Sequence, residues 1–427
     1  MKKVREGYKI TEFGEIPEEW NISKLSEITE LITKGATPMT YGFDFEDEGI
    51  NFIKVENIME SGKIDKNSLL KISEECNNKL SRSKIQKGDI LMSIAGTLGR
   101  TAIISEEVIP ANTNQALAII RLKKINNVDY INKTLSSSYI KKHINMIGTV
   151  GAQPNLSLKQ IGDFNILLPS IKEQEKIASI LSTVDEQIDN VDALIEKNKE
   201  LKKGLMQTLL TKGIGHTKFK KTEIGEIPEK WEVKNVSDVA EKVCVGFVGS
   251  LNKYYTSSEK GIPMIRTTNL SQKGLLLKDL KYVTNEFHIK NKKSIVKKND
   301  ILVARHGESG KACLVDCDID ANCLNIVIIR PDTNTINPQY LKEIINSESV
   351  IKQVNNSIVG SVQNVVNTKT IAELKMAIPS IEEQEKIVLI LSEVDDKIEE
   401  YENKKQKLEE IKKGLMQQLL TGKIRVL

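Results

Sequence analysis

Aromatic residues make up only 4% of this 427-residue chain, and just two of them are tryptophans. That scarcity argues against a base-stacking platform for single strands, which needs an aromatic face for successive bases. No apolar run approaches the roughly 20 residues that span a bilayer. The basic start "MKKVREGYKITEFGE" lacks the apolar stretch of a secretory leader. No membrane association is expected, and the cytoplasm is the expected location. Cysteine is sparse and odd in number. Cys76 and Cys244 stand alone, while Cys313, Cys317 and Cys323 lack the tight C-x2-C pair of most zinc sites. Buried reduced thiols are expected there, and no metal. Neither an Asn/Asp-Pro-Pro-Tyr/Phe tetrapeptide nor a G-x-x-x-x-G-K-[ST] phosphate loop is present. A net charge of +4 permits nucleic-acid binding without demanding it.

What the chain has is itself, twice. "PSIKEQEKIASILSTVDEQIDNVDALIEKNKELKKGLMQTLLTKG" (169–213) aligns without a gap on "PSIEEQEKIVLILSEVDDKIEEYENKKQKLEEIKKGLMQQLLTGK" (379–423) at an offset of 210, with 25 of 45 positions identical. The repeat extends through "TEFGEIPEEW" and "TEIGEIPEKW", so Trp20 and Trp231 correspond. It continues through "GINFIKVENI" and "GIPMIRTTNL", then "GDILMSIAGTLGRTA" and "NDILVARHGESGKAC". The protein is therefore two copies of one unit, a period that must be read before any fold is assigned. The tails are nearly the same and the heads share only framework, which implies one shared task and two different ones.

The heads read as mixed α/β (α+β): "INFIKV", "GDILMSIAG" and "ALAIIRL" are short β-rich runs accompanied by a few helices. Each tail reads as one long helix after Pro169 or Pro379, with Ser170 and Ser380 as N-caps and Glu173 and Glu383 placed to complete capping boxes. Ile177, Leu181, Val184, Ile188, Val191 and Ile195 recur at steps of four and three, as do Ile387, Leu391, Val394 and Ile398. That spacing makes a coiled-coil seam, interrupted by Asn198, Lys202, Lys405 and Lys412, polar positions of the kind that set register. Antiparallel pairing of the two helices about a pseudo-twofold axis satisfies both seams and brings the chain termini together.

Two dissimilar heads alternating with two near-identical helical tails resemble the specificity subunit of type I restriction-modification enzymes. The motifs are "LPSIKEQEKIASIL" with "IPSIEEQEKIVLIL", "KKGLMQTLLTKG" with "KKGLMQQLLTGK", and the paired "GEIPEEW" and "GEIPEKW". Both copies have Pro-Ser where that family commonly has Pro-Pro. The resemblance covers the whole chain and implies target recognition domains at 1–168 and 214–378 and helical spacers at 169–213 and 379–427. Each domain would read one half of a bipartite, asymmetric site in double-stranded DNA. The helices would set the spacing and dock two modification (methyltransferase) subunits, through which restriction (translocase-nuclease) subunits join. The chain itself would be non-catalytic and hold no cofactor, S-adenosylmethionine belonging to the modification subunits.

"RHGES" (305–309) after an apolar strand also resembles the start of a histidine phosphatase, with His306 as nucleophile. Its counterpart in the first copy, "IAGTL", has neither His nor Arg, and His143, His216 and His288 lie in no matching context. A scaffold without sequence readout is the other alternative. Under the preferred reading the stretch is a recognition loop. Arg305 would pair with guanine, His306, Glu308 and Ser309 would reach base edges, and Arg100 and Lys311 would contact phosphates. Matched positions Lys54 and Asn57, Arg266, Thr268 and Asn269 are further candidates. So are Lys34 and Thr37 in "TKGATP", Thr97 in "IAGTL", Asn114 and Gln115 in "NTNQ", Gln153 in "GAQPN", and Gln363 and Asn364 in "VQNVVN". Glu173, Gln174, Ile177 and Leu181, with Glu383, Gln384, Ile387 and Leu391, are expected to serve the spacer and subunit docking.

Overall fold

A computed structural model describes residues 4–148, 155–271, 273–305, 310–358 and 366–426. The chain forms two compact units, residues 1–193 with 402–427 and residues 194–401. Among the described residues no helix is long and apolar enough to cross a membrane.

The head of the first unit is built from β1 (Thr29–Lys34), β2 (Ile50–Ile53), β3 (Leu70–Ile72), β4 (Ile90–Ser93), β5 (Thr101–Ile103), β6 (Ala111–Thr113) and β7 (Leu117–Leu122). They make a four-stranded sheet in the order β1-β7-β4-β5 and a three-stranded sheet in the order β3-β2-β6. Helix α1 (Val128–Leu135) follows, and then α2 (Ile171–Lys212), 42 residues long. The second head repeats the plan. Strands β8 (Ala240–Val245), β9 (Tyr255–Thr256), β10 (Ile262–Ile265), β11 (Lys281–Val283), β12 (Ile295–Val296), β13 (Ile301–Ala304), β14 (Ala312–Leu314), β15 (Ala321–Cys323) and β16 (Ile326–Pro331) form sheets β8-β16-β13-β14 and β9-β11-β10-β15-β12. Helices α3 (Pro338–Ile345) and α4 (Ile381–Leu419, 39 residues) complete it. At 1.5 Å per residue the long helices measure about 63 and 58 Å.

The apolar runs are continuous because both faces of each four-stranded sheet are covered. Ile90, Met92, Ala118 and Ile120 face a core shared with the helices, while Leu91, Leu117 and Ile119 face a second cluster with Ile53 and Ala111. In the second head Ile301, Val303, Val327 and Ile329 face the helical core, and Leu302, Ile326 and Ile328 the opposite one. The helical core of the first unit takes Ile177 and Leu181 from the start of α2, Leu419 from the end of α4 and Leu420 just after it. The second takes Ile387 and Leu391 from α4 and Leu209 and Leu210 from α2. All five thiols are free of disulfides, and those at 76, 244, 313 and 323 are buried, but Cys317 is only half-buried, against the expectation for that cluster; burial pushes Cys313 up to about 11.

Neither sheet is purely apolar. Asp89, one residue before β4, accepts two bonds from Arg121 on β7, both at 2.8 Å. Asp300 does the same with Arg330 at 2.8 and 2.7 Å. Each aspartate also accepts a backbone N–H, from Gln86 and Lys297 respectively, so its buried charge is met on several sides. Removing one partner strands a buried charge. Arg121→Ala and Arg330→Ala are each expected to lower stability by about 3 kcal/mol, read by urea unfolding of the whole chain. A loss under about 0.5 kcal/mol would place the pair with surface ion pairs.

Candidate DNA-recognition loops and the head–helix joint

Strand directions bring the polar loops of a head to one end of its four-stranded sheet. Lys34 faces Ala118, Leu117 faces Ser93 and Met92 faces Thr101, so the segments after β1 and β4 and before β5 and β7 meet there. Gly35 lies so close to the β6–β7 turn that a Cβ would stand 1.8 Å from the Thr113 carbonyl oxygen. Ala36 N–H donates to that oxygen at 3.2 Å, and the Thr37 hydroxyl donates to Gln115. Ile94 N–H donates to Ala116 O at 2.8 Å, and Leu156 N–H donates to Ile94 O at 2.9 Å. Thr97 and Gln115 are exposed at this end, together with Met39 and Tyr41.

The second head assembles the same end from different residues. A Cβ on Gly246 would stand 2.4 Å from Cys323 Sγ and 2.5 Å from its carbonyl oxygen. Phe247 N–H donates to Cys323 O, and Asn325 N–H donates to Phe247 O. Arg305 occupies the backbone position of Ile94: its carbonyl accepts from Val366 N–H as that of Ile94 accepts from Leu156. Its guanidinium donates through Nε to Val366 O at 2.9 Å and through Nη1 to Asn325 Oδ1 at 2.7 Å. Arg305 thus ties three segments together inside the head, whereas the sequence suggested a guanine contact. The segment 246–251 escaped sequence reading. Its signal was Gly246, at the repeat position of Gly35.

Several candidates change role. Asn57 and Asn269 are buried, and their amides are engaged inside the heads. Asn57 accepts from Lys54 N–H at 2.7 Å and donates to Ser68, while Asn269 accepts from Arg266 N–H and donates to Leu276 O, both at 3.1 Å. They shape a turn and leave no edge for a base. Arg266 reaches the Asp279 carbonyl at 3.4 Å, and Arg100 reaches that of Ile58 at 3.2 Å. Lys54 lies over the Phe45 ring, and Asn114 accepts from Ala116 N–H within its own turn. Lys34 and Lys311 are half-buried and Thr268 is exposed. Gln153, His306, Glu308, Ser309, Gln363 and Asn364 lie outside the described residues.

The residues assigned to docking are turned inward. Ser170 caps α2 by accepting from Glu173 N–H at 3.3 Å, but the Glu173 carboxylate does not return to complete a capping box. It accepts from Trp20 Nε1 at 3.1 Å and from Arg425 Nε at 2.7 Å, which holds the guanidinium above its usual value. Glu383 accepts from Trp231 Nε1 at 3.0 Å and contacts His216 Nε2 at 2.9 Å. The neighbouring Gln174 and Gln384 accept from Asn127 and Asn337 N–H and donate to Pro169 and Pro379 O. These four residues, expected to serve the helix start and spacer as well as docking, clamp each head to the helix start. Tyr8 also donates to Gly422 O at 3.1 Å, so the segments near the two chain ends meet, as antiparallel pairing requires.

Three of the four polar interruptions of the seam mark its register, while Asn198 donates to Leu194 O within its own helix. In the first unit Lys412 pairs with Asp185 at 2.6 Å and Lys405 with Asp192 at 2.7 Å: seven residues up α2 correspond to seven down α4. In the second unit Lys202 pairs with Asp395 at 2.6 Å. Both units therefore hold α2 and α4 antiparallel.

Two heads of one topology with different loop ends, each clamped to one of a pair of near-identical helices, define a two-headed recognition subunit. The chain belongs to the type I restriction modification DNA specificity domain family, which it matches twice, over residues 17–202 and 228–411. It is a specificity subunit, the non-catalytic component of such an enzyme. The MjaVIII specificity subunit of Methanocaldococcus jannaschii is 27% identical over 100% of this chain and 99% of its own. The EcoBI specificity subunit of Escherichia coli is 30% identical over 55% of this chain and 47% of its own. The S subunit of a Mycoplasma genitalium type I system shares the fold, with a TM-score of 0.55 at 15% identity over 98% of this chain and 97% of that one. A chain from a study of complex assembly in a type I system gives 0.59 at 14%, over 96% and 99%.

Because Gly35 and Gly246 allow the close backbone approach that gathers the loops, Gly35→Ala and Gly246→Ala are each expected to cost about 1–3 kcal/mol by overpacking. Thermal unfolding of each variant checks this. A melting temperature equal to that of the natural chain would show that the loops do not depend on that approach.

Proposed function

We propose that each head reads one half of a bipartite, asymmetric double-stranded DNA target through the loop end of its four-stranded sheet. The observation that carries this reading is the contrast within the fold: scaffold contacts recur in both heads, and the loop ends do not. Thr97 and Gln115 are the exposed candidates in the first head, with the half-buried Thr37 bonded to Gln115. In the second head the candidates are the exposed Val248, Gly249 and Ser250, together with His306, Glu308 and Ser309, which lie outside the described residues. Phosphate contacts from lysines around these ends would position the duplex, and the loop side chains would specify it.

The recognition domains are taken as 1–168 and 214–378, and the spacers as 169–213 and 379–427. The paired helices set the distance between half-sites and dock two methyltransferase subunits by faces left exposed, with restriction subunits joining through these. S-adenosylmethionine binds the methyltransferase subunits, which turn an adenine out of each half-site for methylation. The complex works in the cytoplasm, where the DNA is.

Replacing residues 1–165 with another head, in a strain that supplies the partner subunits, is expected to change one half-site of the methylated sequence and leave the other. Mapping methylated adenines across the genome reads the outcome. A change in both half-sites, or in neither, would overturn the assignment.

A further inference from the structure

The helices offer each head the same ion pair, and the two heads answer it with opposite charges. In the first unit Asp185 on α2 takes Lys412 of α4 on Oδ1 at 2.6 Å, and the ammonium of Lys133, on α1, sits on Oδ2 of the same carboxylate. In the second unit the repeat-equivalent pair is Asp395 on α4 with Lys202 on α2, again at 2.6 Å. The head residue equivalent to Lys133 is Glu343, on α3. Glu343 is buried and lies 3.6 Å from Lys202, with Lys342 beside it at 2.6 Å.

The first head thus engages the acid of the pair, which belongs to the helix that follows it in sequence. The second engages the base, which belongs to the helix that precedes it. A lone aspartate or lysine on the helices would accept one sign only and leave the other sign repelled and poorly solvated. A side-by-side Asp–Lys pair always has an opposite charge within reach.

We propose that the Asp–Lys pair is a two-way socket that seats and orients a head carrying either charge at this position, with Lys133 and Glu343 as the positioning residues. The proposal goes beyond the DNA-reading function and needs no DNA to test. It gives two dissimilar heads a common seat on helices that are nearly identical.

The experiment uses the full chain and thermal unfolding. K133E is expected to shift the melting temperature by no more than about 2 °C, because Glu at 133 turns from Asp185 to Lys412. E343K, made together with K342N so that Asn stands there as Asn132 does in the first head, is expected to behave alike, turning from Lys202 to Asp395. D185K gathers three cations at one joint and is expected to lower the midpoint by about 5 °C or more. Adding K133E to D185K should restore most of that loss, a rescue that a role in packing alone would not give. A double-mutant cycle between positions 133 and 412 should show repulsion with Lys at 133 and attraction with Glu there. K133E as damaging as D185K, absence of rescue, or a coupling of unchanged sign would each overturn the socket.

Discussion

One carboxylate at the start of each long helix, buried at Glu173 and half-buried at Glu383, holds the structure to its plan. Glu173 receives the Trp20 indole from the head and Arg425 from the segment after α4. Glu383 receives Trp231 and contacts His216, from the segment after α2. Three pieces of chain far apart in sequence meet on one side chain. A charge-assisted hydrogen bond with a fixed direction orients as well as attracts. Around it Gln174 and Gln384 secure the backbone ahead of α1 and α3, and Tyr130 and Tyr340 donate to the Leu167 and Ala377 carbonyls just before the helices begin. The near-identity of the tails follows from these demands, because each residue of the joint is answered by a partner of fixed position.

The loop ends face no such demand. Their backbone course is set by a glycine pressed on a strand carbonyl, and the side chains beyond it differ between heads. Arg305 illustrates the division. Its backbone keeps the position that Ile94 holds in the first head, while its guanidinium donates to the Val366 carbonyl and the Asn325 side chain, bonds that the Ile94 side chain cannot make. The loop ends differ between the heads, while the order of the four-stranded sheet beneath them is the same in both.

Much of this was legible in the sequence, because duplication compares the protein with itself. The long helices, their seam, their antiparallel sense and the two central strands of the first head's four-stranded sheet all follow from spacing and repetition. What could not be read was side-chain direction. Glu173 stands where a capping box would use it, yet an indole and a guanidinium outcompete the helix start for its oxygens. Asn57 and Asn269 look like base readers in a polar stretch, yet a tight turn consumes both ends of their amides. The Asp89–Arg121 pair joins residues on separate strands, and no periodic signal announces such a partner.

The proposal that the paired helices set the distance between two DNA-reading heads is tested most directly by the gap between half-sites. Seven residues inserted into both α2 and α4, preserving the seam, would lengthen the helical pair by about 10 Å. Mapping of methylated adenines is then expected to show both half-sites unchanged and the gap between them longer by about three base pairs. An unchanged gap, or altered half-sites, would contradict the account.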